Sequence, residues 1–501
     1  MALRLHNTLS GKKEPFTPRE PEHARIYVCG PTVYDYAHLG HARSNIVYDV
    51  LVRHLRASGM RVTFVRNVTD VDDKILKRAA ERGEPPSALA ARFTDAYQED
   101  MRRLCNLDPD VEPKVSEHFD TIVDLIARLV DGGHAYAADG DVYFSVESFP
   151  EYGKLSHRNL DQLEAGASGR LDAGQTARKR HPADFALWKG AADDEPGWPS
   201  PWGRGRPGWH IECSAMSMAH LGETLDLHGG GLDLVFPHHE NEIAQSEAAT
   251  GVPFATCWMH NGFVEVDKEK MSKSLGNFFT ARDLFDRFEP EAIRYFMLTV
   301  HYRAPLNLDW TLDDAGHVTG FPQFDEAERR VEYLYGTMRR LESIPPERVV
   351  DDPARATAAQ PELAAASDRL RAALDDDLNM PVALARVGEV LRAVNELCDG
   401  AARKKGKIAR ADRDAARAAF TAIGAHLGLG LDRPDEVLRR IRDRRALARG
   451  VDPQEVEERI LERKRARAAR DFAAADAVRD ALAARGVELH DSPAGTTWSM
   501  L

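Results

Sequence analysis

Apolar residues near the start of the chain follow two different periodicities. Residues 25–29 form a short apolar run, which predicts a buried strand that ends at the turn Gly30-Pro31. A second apolar run at 62–65 predicts another strand, which ends at 67–70. The apolar positions between them have helical spacing: Ile46, Val47, Val50, Leu51 and Leu55. Strand, helix and strand in about 45 residues predict a βαβ unit, hence a parallel sheet whose ligand site lies at the carboxyl ends of its strands.

The pattern changes further along the chain. Residues 113–135 predict a helix, and 141–208 carry Gly and Pro among several Trp, which predicts a loop-rich insertion. Helical periodicity after Pro305 predicts a bundle from the segments 318–345, 362–403 and 410–428, followed by a charged helical run at 453–485 and a tail. The expected division is a Rossmann-type α/β domain at 1–310 with an insertion at about 113–205, a helical bundle at 311–400, and a small C-terminal region at 401–501.

Composition supports a globular chain with several cores. Its 501 residues exceed what one hydrophobic core holds, and 43% apolar with 29% charged residues is an ordinary globular balance. No apolar run is long enough to span a membrane and the N-terminus has no signal-peptide core, so a cytoplasmic protein is expected. The 5 cysteines contain no CxxC pair, which argues against a disulfide framework or a zinc ribbon.

Charge is unevenly distributed along the chain. The formal net charge of −13 argues against a protein that coats nucleic acid without selectivity, because that binding depends on phosphate neutralisation. Residues 437–485 nevertheless hold 14 Lys and Arg against 9 Asp and Glu. This local basic excess indicates either a surface for RNA phosphate or a solvated helix face.

Two short motifs carry candidate phosphate chemistry. His38-Leu39-Gly40-His41 follows the first strand, and a glycine between two imidazoles at a helix N-terminus lets donors approach a phosphate. The second motif, 270–277, contains Lys270 and Lys273, which can offset the charge of a triphosphate during attack at its α-phosphorus. Each motif alone is also compatible with ordinary surface residues. No GxxxxGK[ST] P-loop is present, so a nucleotide would have to be held by these motifs.

The order and spacing of the two motifs resemble the class I aminoacyl-tRNA synthetases, whose hallmark motifs have the forms HIGH and KMSKS. Leu39 in place of isoleucine is a conservative departure. The resemblance implies that His38, His41, Lys270 and Lys273 are catalytic, and that ATP, used with Mg²⁺, contacts His38, Gly40, His41 and Lys273. It also implies that the C-terminal region binds the anticodon of a tRNA.

A third group of residues has metal-binding chemistry. Cys29 ends the first strand, Cys213 lies in 208–214, and the stretch 236–242 predicts a helix that opens at its proline and places His238 and Glu242 four residues apart on one face. Two thiolates, an imidazole and a carboxylate are a plausible zinc set, although each residue alone is more often structural. His239 is a weaker candidate because its i+4 neighbour is Ile243.

The passages around these residues closely resemble cysteinyl-tRNA synthetases, over about 1–310 and more loosely over the tail: 27–35, 205–216, 228–231 and 236–242. The resemblance implies one Zn²⁺ per chain on Cys29, Cys213, His238 and Glu242, which takes the thiolate of the substrate as a further ligand. It further implies that Cys29, Thr69, Trp209 and Asp233 surround the amino acid. Departures at 116–119 and at Pro199 fall outside the metal set.

The implied activity is the ATP-dependent activation of L-cysteine and its transfer to the 3′ end of cysteine tRNA by a monomer. Activation is expected to need only the nucleotide-binding core, so removal of residues from about 400 onward should spare it. Two alternatives remain open: a cysteine:amino-sugar ligase of the mycothiol pathway, which lacks a full anticodon-reading extension, and a non-catalytic RNA-binding paralogue, for which intact phosphate-binding motifs are unnecessary. Whether the histidines near the site accept the thiol proton is also open.

Overall fold

A computed structural model describes residues 2–158, 178–193, 195–267, 269–270, 279–315, 317–357, 360–492 and 495–500. Its strands are β1 (Arg4–Asn7), β2 (Lys12–Pro15), β3 (His23–Val28), β4 (Arg61–Arg66), β5 (Ala135–Ala138), β6 (Asp141–Phe144), β7 (Phe185–Gly190), β8 (Gly205–Pro207), β9 (Leu227–Gly231), β10 (Trp258–Asn261), β11 (Val264–Val266), β12 (Glu269–Lys270), β13 (Leu306–Leu308), β14 (Thr311–Leu312), β15 (Val318–Gly320), β16 (Val349–Val350), β17 (Ile408–Ala409), β18 (Val487–Ser492) and β19 (Gly495–Met500).

The α-helices in the same ranges are α1 (Leu39–Ala57), α2 (Asp73–Arg82), α3 (Pro86–Arg103), α4 (Phe119–Asp131), α5 (Trp209–Leu221), α6 (Glu240–Thr250), α7 (Ala281–Phe285), α8 (Pro290–Met297), α9 (Pro322–Glu342), α10 (Gln360–Ala364), α11 (Ala366–Leu374), α12 (Met380–Ala402), α13 (Arg410–Leu427), α14 (Pro434–Ala448), α15 (Pro453–Ala468) and α16 (Phe472–Ala483). Among these described helices, none is long and apolar enough to cross a membrane.

The centre of the molecule is a parallel sheet with strand order β10-β9-β3-β4. The two predicted strands are β3 and β4, each slightly longer than its apolar run, and α1 connects them as the βαβ pattern predicts. Apolar residues of β3 and α1 are buried against each other, which fixes the helix on one face of the sheet. All four strands therefore end at the same edge, and this edge carries the site described below.

The insertion contains more regular structure than its composition predicts. Strands β5 to β8 form an antiparallel sheet in that order, and α4 packs beside it. The prediction of a loop-rich 141–208 is therefore wrong at β6, β7 and β8. Short strands bounded by Gly and Pro resemble loops in sequence, but their aromatic side chains, Trp188 among them, are buried in a core of their own.

The C-terminal half is helical, as expected, but the helices break at positions that periodicity does not reveal. The segment 362–403 is divided among α10, α11 and α12, and Asp377 and Leu378 adopt positive φ angles between the last two. The charged run at 453–485 is divided between α15 and α16 at Arg470, which also has positive φ. The tail forms the hairpin β18–β19, which closes a small core with α15 and α16.

Candidate functional site

Cys29 occupies the first position after β3, at the edge where the parallel strands end. Its backbone N–H donates to the Gly229 carbonyl of β9 at 3.2 Å. The next residue, Gly30, donates to the Asn67 side-chain oxygen at 2.9 Å, and a Cβ on Gly30 would overlap the Asn67 carbonyl. The close approach of the two strand ends thus requires glycine here, and it holds the Cys29 thiol in one place.

The four residues of the predicted metal set come together at this edge. The Cys29 Sγ lies 3.7 Å from the Cys213 Sγ, 3.5 Å from His238 Nε2 and 3.5 Å from Glu242 Oε1. His238 Nε2 and Glu242 Oε1 are 3.0 Å apart. Ligands of tetrahedral Zn²⁺ at bond lengths of about 2.0–2.3 Å are separated by roughly 3.3–3.8 Å, so the donor atoms have approximately the spacing that such an ion requires.

Cys29 follows β3, and the other three side chains of the set come from α5, α6 and the turn before α6. Helix α5 carries Cys213 on its buried face, and α6 carries Glu242. The helix predicted to open at Pro237 begins instead at Glu240, after a wide turn at Val235–His239 in which Phe236 has extended backbone angles. His238 and Glu242 still lie on the same face, because the chain from His238 onward has helical backbone angles that continue into α6.

His239, the weaker candidate by sequence, also joins the cluster. Its Nε2 lies 3.4 Å from the Cys29 Sγ and 3.9 Å from Glu242 Oε1, and its Nδ1 lies 2.8 Å from His260 Nε2. The donor atoms of Cys29, His238, His239 and Glu242 all fall within 4.8 Å of one another. The i+4 argument misses His239 because its relation to Glu242 is i+3, which brings side chains together equally well on a helix.

Burial and mutual contact shift the ionisation of the cluster. Burial alone would raise the pKa of Glu242, but the nearby His228 and His238 outweigh it and lower the value to about 2. Burial likewise opposes protonation of His238, yet Glu242 raises its pKa to about 9. The hydrogen bond from Cys29 lowers the pKa of Cys213 to about 6, whereas burial raises that of Cys29. One thiol therefore loses its proton near neutral pH.

Two further histidines position the cluster: His228, to which no role was assigned by sequence, and His210, one of the histidines considered as an acceptor of the thiol proton. His228, on β9, contacts Glu242 Oε2 through its Nε2 at 2.8 Å and stacks on Trp258 with ring centroids 4.7 Å apart. His210 places its Nδ1 2.9 Å from His238 Nδ1. Contacts of this kind fix ring orientation and tautomer at metal sites. The only sequence signal for His228 is its place at the start of 228–231.

The predicted substrate residues lie around the same edge in different environments. The Trp209 ring packs on His238 with centroids 4.1 Å apart. Thr69 is buried after β4, and its hydroxyl donates to Glu212 Oε2 at 3.1 Å, while burial raises the pKa of Glu212 well above its usual value. Asp233 is exposed in the turn that follows β9. Glu212 was not anticipated, because its partner Thr69 is distant in sequence.

The first phosphate motif forms the N-terminus of α1. His38 is the N-cap, and its Nδ1 accepts from the Gly40 N–H at 3.0 Å. The His38 and His41 rings stack with centroids 3.8 Å apart, and burial lowers the pKa of His41 well below its usual value, which leaves a neutral imidazole. A Cβ at Gly40 would press against the His38 ring, so the glycine between the histidines is needed for this geometry.

The chain that follows the second motif is bound to the start of the first motif through the backbone. Leu39 N–H donates to the Phe279 carbonyl at 3.2 Å, and Ala281 N–H donates to the Ala37 carbonyl at 2.8 Å. Lys270 contributes its backbone to β12, where Glu265 pairs with it, but its side chain lies outside the described residues, as does all of Lys273.

Comparison with known proteins agrees with this geometry. The family model for the class I (C) tRNA synthetase catalytic domain matches residues 15–315, and that of the DALR domain matches 369–432. The cysteine–tRNA ligase of Anaeromyxobacter dehalogenans (strain 2CP-1) is 55% identical over 511 aligned residues, which cover 100% of both chains. The cysteine–tRNA ligase of Geobacter sulfurreducens is 49% identical over 505 aligned residues, which again cover 100% of both chains.

The chain belongs to the cysteine–tRNA ligase family. Membership confirms the predicted class I fold, a Rossmann-type α/β catalytic domain with an insertion, followed by helices and a C-terminal anticodon-binding domain, which the family model identifies as a DALR domain. It also confirms that the chain is an aminoacyl-tRNA synthetase. The comparisons give no support to an amino-sugar ligase or to a non-catalytic paralogue.

Solved structures with the same fold come from other members of the synthetase class. Mycobacterium tuberculosis methionyl-tRNA synthetase in complex with methionyl-adenylate superposes with a TM-score of 0.61 at 17% identity, covering 83% of this chain and 93% of that one. The LeuRS–tRNA–LeuAMS complex of Agrobacterium radiobacter K84 superposes with a TM-score of 0.54 at 11% identity, covering 85% of this chain and 86% of that one. At these identities the superpositions show the shared fold alone.

Proposed function

We propose that this cysteine–tRNA ligase family member activates L-cysteine with ATP and transfers it to the 3′ end of cysteine tRNA, with a zinc site that selects the substrate. The observation that carries the proposal is the cluster of Cys29, Cys213, His238 and Glu242 at the end of the parallel strands, beside Trp209. This is the edge at which α/β sheets bind their ligands.

The donor set fits Zn²⁺ in both chemistry and spacing. Zn²⁺ bound there would add a Lewis-acidic centre that accepts a soft thiolate far better than a neutral hydroxyl, which distinguishes cysteine from serine. The chain's own residues prepare this choice. Glu242 is held ionised by two histidines, and Cys213 has a lowered pKa, so two of the donors are anionic near neutral pH.

The adenylation step is assigned to the two motifs at the start of α1 and after β12. His38, Gly40 and His41 would contact the phosphates of Mg·ATP at a helix N-terminus. Lys270 and Lys273 would offset the charge that develops as a carboxylate oxygen of cysteine attacks the α-phosphorus and pyrophosphate leaves. Thr69, Trp209 and Asp233 would surround the amino acid, with Cys29 facing it from the metal side. The backbone bonds between Phe279–Ala281 and Ala37–Leu39 support this assignment, because they hold the chain that follows the second motif against the start of the first.

The helical parts would receive the tRNA. We assign residues 1–310 to the catalytic domain, with its insertion at about 113–205, 311–400 to the bundle, and 401–501 to anticodon binding. The basic excess of 437–485 supports contact with RNA phosphate in the last part. A monomer of 55.7 kDa is the expected working unit.

A charging assay tests the proposed activity. Purified enzyme, ATP and labelled cysteine are offered cysteine tRNA and an amino-sugar acceptor in parallel reactions. Cysteine should enter the acid-precipitable RNA fraction, and no amide with the sugar should form. Labelling of the sugar alone, or of neither acceptor by an enzyme that is folded and metal-loaded, would contradict the proposal.

A further inference from the structure

Arg282 lies at the junction of three elements that surround the adenylation motifs. It occupies the second position of α7, directly after the segment Phe279–Ala281 that bonds to the turn before α1. Its Nε donates to Asp100 Oδ1 of α3 at 2.8 Å, and its Nη2 donates to Glu99 Oε2 at 2.8 Å. Its guanidinium also lies over the Tyr36 ring, 4.8 Å from the ring centroid.

The partners of Arg282 are themselves fixed. Asp100 is fully buried, and its second oxygen has no hydrogen-bond partner among the described residues, so Arg282 provides the direct ionic contact of that carboxylate. Tyr36 stands edge-on to the buried Phe93 of α3, with ring centroids 5.2 Å apart. One guanidinium therefore connects α7, α3 and the loop that leads into His38.

The same segment is anchored on its other side by the backbone of the first motif. The Leu39 N–H donates to the Phe279 carbonyl, and the Ala281 N–H donates back to the Ala37 carbonyl. Between these two bonds, His38 faces Thr280 in an isolated antiparallel bridge. Thr280 caps α7 through a hydrogen bond from Asp283 N–H at 3.2 Å. The start of α7 is thus held on two sides, by the main chain toward α1 and by Arg282 toward α3.

We propose that Arg282 is a positioning residue for adenylate formation, which holds the chain that follows the lysine motif in register with the His38 turn. The inference rests on the proposed function, since it assumes that Lys273 acts in that step. Arg282 itself touches neither substrate nor metal in this account. A planar guanidinium that donates to two carboxylates and stacks on a ring is suited to such a role, because lysine reproduces its charge but not this combination of directed hydrogen bonds and stacking.

The first experiment measures cysteine-dependent pyrophosphate exchange in Arg282→Ala, Arg282→Lys and the matched control Arg102→Ala. Arg102 lies on α3, as does Asp100, but it pairs with the exposed Asp108 at 2.9 Å. Misplacement of reacting groups by about 1 Å costs up to roughly a hundredfold in rate, so Arg282→Ala should slow exchange by about ten- to a hundredfold. Arg282→Lys should recover part of the loss, and Arg102→Ala should match the parent enzyme.

The kinetic pattern separates positioning from general stability. Arg282→Ala should lower kcat and raise the KM for ATP, while the KM for cysteine and the metal content stay within about twofold of the parent, because α5, α6 and the end of β3 hold the metal cluster. Added guanidinium ion should restore part of the activity of Arg282→Ala. The proposal would be overturned if the KM for ATP and the KM for cysteine changed equally. It would also be overturned if a folded Arg282→Ala protein kept an exchange rate within about threefold of the parent.

A double-substitution cycle distinguishes this inference from the proposed function. Arg282→Ala added to Lys273→Ala should cost little more than Lys273→Ala alone, since the two act through one segment. Fully multiplicative losses would overturn the role of Arg282 and leave that of Lys273 intact. Parent-like exchange by Lys273→Ala would instead remove the lysine from the proposed mechanism, together with the inference that depends on it.

Discussion

Glu242 has two carboxylate oxygens, and a histidine contacts each of them. His238 meets Oε1 at 3.0 Å and His228 meets Oε2 at 2.8 Å. All three side chains are buried, so the orientation of the carboxylate is determined by these contacts and not by solvent. His228 thus orients the Glu242 carboxylate toward the metal position.

Replacement of His228 tests this role. His228→Phe keeps an aromatic ring against Trp258 but removes the contact to Glu242, and loss of such an outer partner typically weakens metal binding by about 10- to 100-fold. Competition with a chelator of known affinity measures the change. His220→Asn, on the outer part of α5, is the matched control and should bind metal like the parent. Unchanged affinity in His228→Phe would show that Glu242 is oriented by other groups.

The elements of the fold differ in how well the sequence predicts them. The βαβ unit is identified because two apolar runs flank a helix-length segment with regular helical spacing. Strands β6 to β8 escape prediction because they lie in a segment rich in Gly and Pro with no such regular spacing between them. The metal residues could be predicted from chemistry and family resemblance, whereas His228, Glu212 and Arg282 could not, because each acts through a partner that only folding brings near.

Helices α1 and α13 meet through a buried pair of histidines. His54 Nδ1 lies 3.2 Å from His426 Nδ1, and His54 Nε2 lies 3.0 Å from Asp375. Burial, followed by the proximity of His54, lowers the pKa of His426 to about 4. The native state therefore resists protonation of His426 more strongly than the unfolded chain does, in which an ordinary histidine has a pKa of about 6.5.

The sign of the pH effect follows from this lowered pKa. Neutral His426 makes a contribution to the free energy of unfolding that is fully present above about pH 6.5. This contribution is lost progressively as pH falls toward 4, and the loss is at most about 3 kcal/mol. His426→Gln should therefore lose less stability than the parent between pH 7.5 and 5. Denaturation midpoints at the two pH values measure the difference, with exposed His317→Asn as control. Identical pH dependence in His426→Gln and the parent would contradict this account.

At the scale of the whole molecule, the catalytic sheet and the helical bundle share one core. Apolar residues of β3, α1, α9, α12 and α13 belong to a single buried cluster. Arg294 of α8 is buried, donates to the Leu427 carbonyl at the end of α13 at 2.7 Å, and pairs with Asp49 of α1. Arg440 and Arg444 of α14 pair with Glu289 at the start of α8. The expectation that residues beyond about 400 can be removed without effect on activation is therefore revised.

The structure indicates a different boundary for truncation. Residues beyond α14 form mainly their own core, from Val451 to Trp498, with Ala446 as the contribution of α14. Deletion from 450 onward should spare cysteine-dependent pyrophosphate exchange to within about threefold. It should strongly reduce charging of tRNA, because the removed part belongs to the region 401–501 that we assign to anticodon binding. Deletion from 400 onward should reduce both activities. Full charging by the shorter deletion would show that the last part is dispensable for RNA binding.

A metal held by Cys29, Cys213, His238 and Glu242 should contact the thiolate of the substrate directly. Replacement of the metal by cobalt gives the site a visible spectrum, and saturating cysteine should shift and intensify its thiolate band because a new sulfur ligand is added, whereas serine should leave the band unchanged. Cys29→Ser and Cys213→Ser should lose metal and cysteine affinity together. A cobalt spectrum that does not respond to saturating cysteine would mean that the metal is structural, and it would contradict selection of the substrate thiol by the site.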